Sequence, residues 1–475
     1  MTAARAPGAD ADEPAAEVGL PPVNAPPVKT PPVNAPLVTP AAGPALDVAP
    51  ARRGSWPSPL RSLAVGNYRL YFFGQLISLT GTWAQMVAQD WLVLQLTDSG
   101  IALGIVTALQ FLPALALSLY GGALADRRDK RKLMLATQAG MGITALALGL
   151  LDVSGVVALW HVFALAALLG VFSALDGPVR QAFVVEMVGP ADMSNAVALN
   201  SMNFNLGRIF GPAIAGLVIT AFGTGWAFLG NAVSSIAVLA GLALMRSAEL
   251  FPSDPVRRQP GQYRAAVRYV RTRADLMLPM LLIFIVGTFG MNFQINIALL
   301  AKQVFARGAD SFGLLSTMLA IGATLGALAS ATRRSRPTPL FLIGAALAFS
   351  LVELLAGLMP SFELTAVALV PAGFAMIVLA QSCNATVQLG VEPTMRGRVM
   401  GLYILCFMGG TPIGALITGW VAELFGPRWG MLGGALICLV ATLVVAGYLL
   451  RRRRLGSGQA TDVTDRLPAP RPLPG

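Results

Sequence analysis

The sequence predicts an all-α membrane protein whose twelve transmembrane helices form two pseudo-symmetric bundles of six. Three observations lead to this prediction. The 475 residues are 55% hydrophobic and only 12% charged, whereas soluble domains have about 25% charged residues. Apolar stretches of about 18 residues or more, the length that crosses a bilayer, recur along the chain. The second half also repeats features of the first, so we expect two related bundles rather than one.

We number the predicted spans 1 to 12 in chain order. They cover residues 69–96, 101–124, 131–151, 156–175, 195–222, 226–245, 276–301, 311–331, 338–358, 363–388, 399–424 and 429–450. Several are longer than the roughly 20 residues needed to cross a bilayer, and a tilted helix accommodates the excess.

The distribution of basic residues predicts how these spans are oriented. If both termini are cytoplasmic, 30 of the 34 Lys and Arg residues fall in cytoplasmic segments and three fall in outer loops. Cytoplasmic loops of membrane proteins carry such an excess. The same distribution accounts for the net charge of +11 without a nucleic-acid partner, because no stacking aromatic residues are interspersed in the basic runs. The partner expected for this chain is therefore the lipid bilayer.

Two terminal segments differ from the spans in composition. Residues 1–62 are rich in Pro and Ala, and residues 21–35 contain three copies of a five-residue repeat that begins Pro-Pro-Val. Such a segment favours extended polyproline conformations and cannot bury a core, so we expect a disordered cytoplasmic tail. It has no basic segment followed by an apolar one, which argues against a secretory signal. Residues 453–475 are expected to form a second disordered cytoplasmic tail.

The longest internal connection divides the rest of the chain into six spans and six spans. We expect an N-terminal bundle at 63–245, a cytoplasmic linker at 246–275 and a C-terminal bundle at 276–452. Within the linker, arginines recur at i, i+4 and i+7 from Arg264. This spacing indicates an amphipathic helix on the membrane surface, and a solvated charged linker is the alternative.

An internal repeat relates the two halves. At a constant offset of 203, matching residues include Pro190 and Pro393, Leu199 and Leu402, Phe204 and Phe407, Gly211 and Gly414, Gly216 and Gly419, and Trp226 and Trp429. The agreement runs without a gap over about 40 residues. It predicts two related halves of six helices each.

A strongly basic turn joins spans 2 and 3. Five of the six residues 127–132 are Lys or Arg, and Asp126 precedes them. The turn resembles the signature loop between helices 2 and 3 of major facilitator superfamily transporters; Asp126, Arg127 and Arg131 match it, and Asp129 stands where Gly is usual. The resemblance implies the major facilitator fold, with a substrate site between the two bundles.

The resemblance also implies that this loop is a latch at the cytoplasmic mouth. The gate candidates are Gly122, Asp126, Arg127, Arg131 and, at the start of span 11, Arg398. A carboxylate facing the start of span 11 would be held by the helix dipole and by Arg398, at about 0.3–1 kcal/mol each, which is weak enough to break in every cycle. The alternative is a turn that only sets the orientation, which would explain the arginines but not Asp126.

Span 5 contains a second motif. Residues 207–216 read Gly-Arg-Ile-Phe-Gly-Pro-Ala-Ile-Ala-Gly and resemble the antiporter motif of major facilitator drug exporters, departing from it at Ala215. Glycines four residues apart allow a neighbouring helix to approach closely, and proline is expected to bend the helix. The candidate hinge residues are Gly207, Gly211, Pro212 and Gly216. The resemblance implies export, and simple helix packing is the alternative.

Polar side chains form stripes on several spans. Five uncharged polar residues of span 1 are spaced by 3, 4, 3 and 4, which aligns them on one helix face. A stripe facing lipid would be costly, so we expect it to face a wet cavity or, as the alternative, other helices. The cavity candidates are Gln75, Ser78, Thr82, Gln85 and Gln89 in span 1, Asn205 and Arg208 in span 5, Asn292 and Asn296 in span 7, and Gln381 and Asn384 in span 10.

Three charged residues lie within predicted spans: Asp90, Arg208 and Glu353. Each costs about 2.5–3.5 kcal/mol at a helix centre, so each needs a reason to be there. Asp90 lies at the edge of the polar stripe and is the candidate for proton coupling; an acid anchored near the outer surface is the alternative. Arg208 lies near the middle of span 5, too far along the helices for a tight pair with Asp90. We expect Glu353 to be structural or interfacial.

The sequence offers no constellation for catalysis, metal binding or a cofactor. The three cysteines, Cys383, Cys406 and Cys438, lie in predicted helices without metal-ligand spacing, and the single histidine gives no catalytic pair. No phosphate-binding loop of the G-x-x-x-x-G-K-[ST] type is present, so the sequence does not support ATP as the energy source.

The resemblance covers residues 63–450 and points to one branch of the superfamily. Segments 74–104, 176–183 and 396–400 are similar to those of bacterial exporters of the enterobactin and macrolide type. This implies a monomeric secondary transporter in the bacterial inner membrane that exports amphipathic small molecules (drugs, antibiotics or siderophore-like compounds) by alternating access and proton antiport. An uptake symporter of the same fold and a non-transporting membrane receptor are the alternatives.

Overall fold

The chain is helical throughout the part that we describe, which comprises residues 58–251, 262–333 and 335–464 of a computed structural model. No strand occurs in these ranges. Side chains are described outside 58, 118–127, 262–263, 450 and 452–464. Residues 1–57 and 465–475 of the predicted tails lie outside the described residues, whereas 453–464 continue the last helix.

The first half forms six helical arms. After a short 3-10 helix, Ser58–Ala64, the helices are Gly66–Thr97 (span 1), Gly100–Arg127 (span 2), Lys130–Val153 (span 3), Leu159–Phe222 (spans 4 and 5) and Thr224–Ala243 (span 6). Asp129 begins span 3 as its N-cap, because its side chain accepts a hydrogen bond from the backbone N of Lys132 at 3.1 Å.

Spans 4 and 5 form one helix of 64 residues with a single break. Residues 176–194, which lie between the predicted bounds of spans 4 and 5, are therefore also helical. The break lies at Gly189, whose φ of 70° and ψ of 174° are strained for any residue with a side chain. Pro190 follows as the first residue of span 5, a position where its missing N–H has no cost. At Pro212 the backbone keeps helical dihedral angles, so the helix is not interrupted in the antiporter-like segment.

The second half forms six more arms. The connection contains a 3-10 helix, Ser247–Glu249, and a helix, Gln262–Arg271, that packs on the starts of spans 7 and 11. The spans that follow are Ala274–Val304 (span 7), Ala309–Ala331 (span 8), Pro339–Leu358 (span 9), Phe362–Gly390 (span 10), Arg396–Phe425 (span 11) and Pro427–Thr464 (span 12).

Ten of the described helices are long and apolar enough to cross a membrane. One of them, Leu159–Phe222, supplies two arms, and Gly66–Thr97 is long enough at 32 residues but too polar to be among the ten. The described arms are thus consistent with twelve crossings. The polar stripe of span 1 is the reason that its hydropathy is low.

Span 7 is less regular than predicted. Two π-helical segments, Val286–Gly290 and Leu300–Val304, flank its second part, and Met291 and Asn292 are not helical. Such segments widen a helix locally and leave backbone groups open to other partners. The irregular region packs closely on span 11, where a methyl group at Gly410 or Gly414 would overlap Thr288.

The internal repeat is realised in the packing of the bundles. Gly211 of span 5 packs on span 1, where a methyl group would lie 2.9 Å from the carbonyl O of Thr80. Its repeat partner Gly414 packs in the same way on span 7. Gly216 packs on span 8 of the other bundle, and its partner Gly419 packs on span 2. The two halves therefore meet through two related helix pairs, the span 5–8 crossing and the span 2–11 crossing.

We call the end of the molecule that carries the basic turns 128–132, 333–336 and 396–398 the basic end, and the other end the opposite end. Helices alternate in direction, so loops 98–99, 305–308 and 426 lie together at the opposite end. The two crossings lie toward this opposite end, because they join the late residues of spans 5 and 11 to the early residues of spans 8 and 2.

Candidate functional site

A cavity of about 160 Å³ lies between the two bundles at the span 5–8 crossing. Residues from spans 1, 5, 7, 8 and 10 line it, so both bundles contribute to its wall. Its lining is partly aromatic and partly polar: Trp83, Arg208, Pro212, Met291, Phe293, Gln294, Ser316, Leu319, Ala320, Ala323 and Met376. The major facilitator resemblance predicts a substrate site at this place.

The opposite end is closed by contacts between the bundles. At the span 5–8 crossing, a methyl group at Gly313 would lie 2.5 Å from the carbonyl O of Pro212. At the span 2–11 crossing, a methyl group at Gly104 would lie 2.6 Å from the carbonyl O of Ala415. Because each crossing brings backbone to backbone, a substrate cannot pass between the helices on this side without their separation.

Polar groups reinforce this closure. The ammonium group of Lys302 lies 3.2 Å from Asp98 Oδ1, and Gln303 Nε2 donates a 2.7 Å hydrogen bond to the Asp98 carbonyl O. Although partial burial acts to raise it, the hydrogen bond from the Gln303 side chain and the hydrogen bond and charge of Lys302 hold the pKa of Asp98 below its ordinary value. Glu423 Oε2 accepts hydrogen bonds from the backbone N of Gly100 at 2.8 Å and from Ser99 Oγ at 3.1 Å.

Ion pairs at the basic end lie within one bundle. Lys130 contacts Glu186 at 2.6 Å in the N-terminal bundle, and both Arg273 and Arg336 contact Asp275 at 2.9 Å in the C-terminal bundle. Among the side chains that the structure describes, none of the ion pairs at this end joins the two bundles. Of the ion pairs that the structure describes, the one that joins the bundles, Lys302 with Asp98, therefore lies at the opposite end.

Arg208 is the charged residue of the cavity wall. Its Nη2 donates a 3.0 Å hydrogen bond to Asn205 Oδ1, and its guanidinium carbon lies 5.9 Å from the Phe204 ring centroid. Its Nε is buried and has no hydrogen-bond partner among the described residues. The same is true of Gln294 Nε2 and Ser316 Oγ, which belong to the same wall.

The polar stripe of span 1 lies inside the N-terminal bundle. Gln75, Ser78, Gln85 and Gln89 are buried and none of them lines the cavity. The amide of Gln75 donates to Tyr71 Oη, Gln85 Oε1 accepts a hydrogen bond from Asn231 Nδ2 of span 6, and Thr82 donates to the carbonyl O of Ser78. Each of these contacts joins two helices of the N-terminal bundle or two turns of span 1.

The polar candidates of spans 7 and 10 are also away from this cavity. Asn292 Nδ2 donates to the carbonyl O of Thr288 at 2.7 Å. Asn296 is fully buried, and neither of its side-chain polar atoms has a partner among the described residues. Gln381 lines a separate pocket of about 90 Å³ in the C-terminal bundle, together with Arg333. Asn384 lies one turn further along span 10 and is half-buried.

Three carboxyl groups are buried in the described helices. Asp176 accepts hydrogen bonds from Thr137 and Gln138, whereas Asp90 and Glu353 have no partner within the described ranges. Asp90 is 6% exposed, has no hydrogen-bond or ion-pair partner among the described residues and is not part of the cavity wall. Glu353 is fully buried, and both its oxygens lack partners in the described part of the chain. A methyl group at Gly290 would lie 3.1 Å from Glu353 Oε2, so this carboxyl packs against the irregular region of span 7. The structure contains no ion pair between Asp90 and Arg208.

The gate candidates are only partly described. The backbone of Gly122, Asp126 and Arg127 is helical, but their side chains lie outside the described residues. Arg131 binds the end of span 6, because it donates to the carbonyl O atoms of Leu242 and Ala243 and to Ser247 Oγ at 2.7–2.8 Å. The only polar contact described for Arg398 is a 3.7 Å approach to Met395 Sδ.

The antiporter-like segment of span 5 faces both bundles. Gly207 and Gly211 pack on span 1, Gly216 packs on span 8, and Pro212 lines the cavity and contacts Gly313. The segment is therefore the part of span 5 where the two bundles and the cavity meet. Its glycines permit backbone approach on two different helix faces.

Several cavity residues have no signal in the sequence pattern. Trp83 and Met376 are hydrophobic residues of spans 1 and 10, and Gln294 and Ser316 have no polar residue three or four positions away, so no stripe marks any of them as part of a cavity wall. Gln294 lies in the helical segment Phe293–Leu299, just after the non-helical Met291 and Asn292, so the helical spacing of the preceding residues does not continue to it. Among the described residues, no group of three or more His, Cys, Asp or Glu side chains could hold a metal ion.

Similarity to known proteins agrees with this architecture. The sequence matches the family described as transmembrane secretion effector over residues 57–473. The staphyloferrin A transporter of Staphylococcus aureus (strain NCTC 8325 / PS 47) is 26% identical over 404 residues, which cover 81% of this chain and 96% of that protein. The enterobactin exporter EntS of Escherichia coli O1:K1 / APEC is 25% identical over 402 residues, covering 83% of this chain and 95% of that protein.

Solved structures share the fold at lower identity. A bacterial homologue of the human lysosomal transporter Spinster, in an inward-facing and unoccupied conformation, has a TM-score of 0.64 and 17% identity over 88% of this chain and 100% of its own. The nucleoside transporter NupG has a TM-score of 0.64 and 14% identity over 80% of this chain and 98% of its own. With a family match over nearly the whole described chain, this protein belongs to the transmembrane secretion effector family of the major facilitator superfamily and is a multi-pass membrane transporter of small molecules.

Proposed function

We propose that this transporter exports amphipathic small molecules of the siderophore or drug type across the bacterial inner membrane by alternating access. The observation that carries the proposal is the cavity between the two bundles, which both bundles line and which is sealed at the opposite end. A cavity closed on one side is one of the two states that alternating access requires. The named export function of the enterobactin relative supports the direction.

The proposed orientation places the basic end and both termini in the cytoplasm. The excess of Lys and Arg at that end supports this orientation. In this topology the sealed opposite end faces the periplasm, and the cavity is on the path of a substrate that enters from the cytoplasm. We further propose that Asp126 approaches Arg398 when the basic end closes, which would complete the latch that the sequence motif predicts.

The proposed energy source is proton antiport, and the proposed proton-binding group is Asp90. A carboxyl group buried in a span without a partner is stable mainly in its neutral form, so it gains and loses a proton when its surroundings change. One elementary charge that crosses 100 mV supplies about 2.3 kcal/mol, enough for roughly fifty-fold accumulation of a substrate. No metal or cofactor is part of the proposal.

Inside-out vesicles that contain the full chain test the export proposal. With enterobactin and staphyloferrin A as the first substrates, we expect an acidic lumen to drive accumulation in these vesicles, because export from the cell is uptake into an inverted vesicle. Asp90→Asn should lower proton-driven accumulation at least tenfold and leave counterflow without a proton gradient intact. The same vesicles should expose Lys132 to an impermeant amine reagent.

Glu353→Gln is the matched comparison, because it also neutralises a buried, partnerless carboxyl of a span. We expect it to change proton-driven accumulation less than threefold. Accumulation in right-side-out vesicles only would show uptake instead of export. Loss of proton drive in Glu353→Gln with full drive in Asp90→Asn would show that the assignment of Asp90 is wrong.

A further inference from the structure

We infer that the cavity at the span 5–8 crossing binds an anionic oxygen group, most simply a carboxylate, and that Arg208 is its counter-ion. The inference rests on the proposed function and deepens it, because it gives the chemical class of the substrate: an amphipathic organic acid. The sequence pattern names Arg208 as a cavity candidate, but it gives no charge for the ligand and no role for Gln294 or Ser316.

The first argument is hydrogen bonding. Arg208, Gln294 and Ser316 come from spans 5, 7 and 8 and line one cavity. Arg208 Nε, Gln294 Nε2 and Ser316 Oγ are buried and have no partner among the described residues. Buried polar groups nearly always have a partner, and an unsatisfied one costs about 1–3 kcal/mol. Three such groups on one wall indicate that a ligand supplies the missing partners. Each of the three groups can donate, so the ligand must present acceptors.

The second argument is charge. None of the cavity-lining residues is Asp or Glu, and the hydrogen-bond acceptor described for Arg208 is the neutral amide oxygen of Asn205. A guanidinium removed from water without a counter-charge is costly, whereas an arginine–carboxylate pair is among the stronger polar contacts in proteins. The missing counter-charge is therefore expected on the ligand. A cationic substrate would be repelled by the positive charge of Arg208.

The third argument concerns the rest of the wall. Trp83 and Phe293 present aromatic surface, and Met291 and Met376 present flexible apolar side chains. Aromatic rings give large contact areas, and methionine adapts to irregular shapes. The substrate that matches this wall has one acidic oxygen group and an apolar body. The cavity thus selects for the acid and tolerates variation in the body.

Equilibrium binding to the purified full chain tests the inference without any ion gradient. The probes are 1-naphthoate and its neutral analogue 1-naphthamide, which have the same apolar body, measured by calorimetry at pH 7. We expect naphthoate to bind at least tenfold more tightly than naphthamide. In Arg208→Gln the two probes should bind about equally, with the binding of naphthamide retained. Arg208→Lys should keep part of the preference for naphthoate, because lysine keeps the charge but lacks the planar donor set.

Arg264→Gln is the matched control, because it removes an exposed arginine of the connecting helix that does not line the cavity. We expect it to leave the preference unchanged. Ser316→Ala and Gln294→Met should each lower the preference two- to fivefold, which keeps the test valid if Arg208→Gln does not fold. Equal binding of the two probes by the unaltered chain, or a preference unchanged in Arg208→Gln or in both smaller variants, would overturn the inference.

The outcomes separate this inference from the proposed function. A clear acid preference together with no transport in vesicles would contradict export and leave the binding site in place. Export of enterobactin without any acid preference would contradict the binding site and leave export in place.

Discussion

The span 5–8 crossing and the span 2–11 crossing are copies of one helix pair, yet only the first lines the cavity. In each, the backbone of one bundle touches the backbone of the other through small residues. Gly216 meets Ala309 in the first crossing, and Gly419 meets Gly100 in the second. The offset of 203 relates the glycines of spans 5 and 11, so the duplicated sequence produced a duplicated contact.

The two crossings differ in their polar residues. Arg208 and Ser316 lie beside the span 5–8 crossing and point to ligand binding, whereas Glu423 clamps the start of span 2 at the end of the span 2–11 crossing. The repeat partner of Arg208 at an offset of 203 is Thr411, and that of Glu423 is Thr220. The comparison indicates that closure is a shared property of both copies, while substrate chemistry and the clamp belong to one copy each.

The largest effect is expected from filling either crossing. Gly313→Val and Gly104→Val should each lower transport in vesicles more than tenfold, because the added side chain meets a backbone carbonyl that cannot move aside. The control is Gly344→Val, where a methyl group meets nothing within 4 Å, and it should keep most of the activity. Thermal unfolding of the purified variants separates a blocked crossing from a misfolded chain. Full activity of only one crossing variant would show that the two copies are not equivalent in closure.

A moderate effect is expected from Glu423, which binds the start of span 2 at the span 2–11 crossing and has no carboxylate at its repeat position in span 5. Glu423→Gln replaces a charged acceptor of two hydrogen bonds by a neutral one, so the opposite end should open more often. We expect labelling of a cysteine placed at Ala422, which is buried against Gly100, by an impermeant maleimide to become two- to fivefold faster than with Glu423 present. Thr220→Val, at the repeat position in span 5, is the control and should not change the labelling rate. An unchanged rate in Glu423→Gln would remove the proposed difference between the crossings.

The smallest effect is expected at the ion pair beside the crossings. Asp98→Asn removes a partner of Lys302, and because the Asp98 side chain is 63% exposed, the closed end should lose only about 0.2–1 kcal/mol. The pKa of Asp98 lies below its ordinary value, so its contribution is fully present above about pH 4 and is lost only as the pH falls through the lowered pKa. The same reporter cysteine should therefore be labelled at rates that differ between Asp98→Asn and the chain with Asp98 by a constant factor from pH 5 to pH 8. A difference that disappears within this range would contradict the pairing.

Much of the fold could be predicted from the sequence because membrane crossing and charge asymmetry are properties of composition. The helical class, the two halves and the basic end follow from hydropathy, from the internal offset and from the positions of Lys and Arg. The break at Gly189 and the irregular span 7 could not be predicted, because apolar composition continues through both. Pro190 is compatible with a loop or with the first residue of a helix, and only packing distinguishes the two.

The candidate site was less predictable than the fold. Of the polar positions expected to line the cavity, Arg208 does so in this structure, while the regular stripe of span 1 is buried inside its own bundle. A polar stripe shows only that a helix face avoids lipid, and both a cavity and a neighbouring helix satisfy that requirement. The roles of Asp90, Glu353 and the remaining polar positions are proposals.

The sequence by itself determined the helical membrane class and the internal duplication. It also determined a number of helices that is consistent with twelve crossings. Each of these depends on the order of apolar and charged residues along one chain. Which side chains meet was decided only by the tertiary structure. Arg208 and Gln294 are more than 80 residues apart in the sequence, and no local pattern connects either of them with Ser316. They share one wall because the pseudo-symmetric crossing brings spans 5, 7 and 8 together, and contacts between distant helices have no period in the sequence.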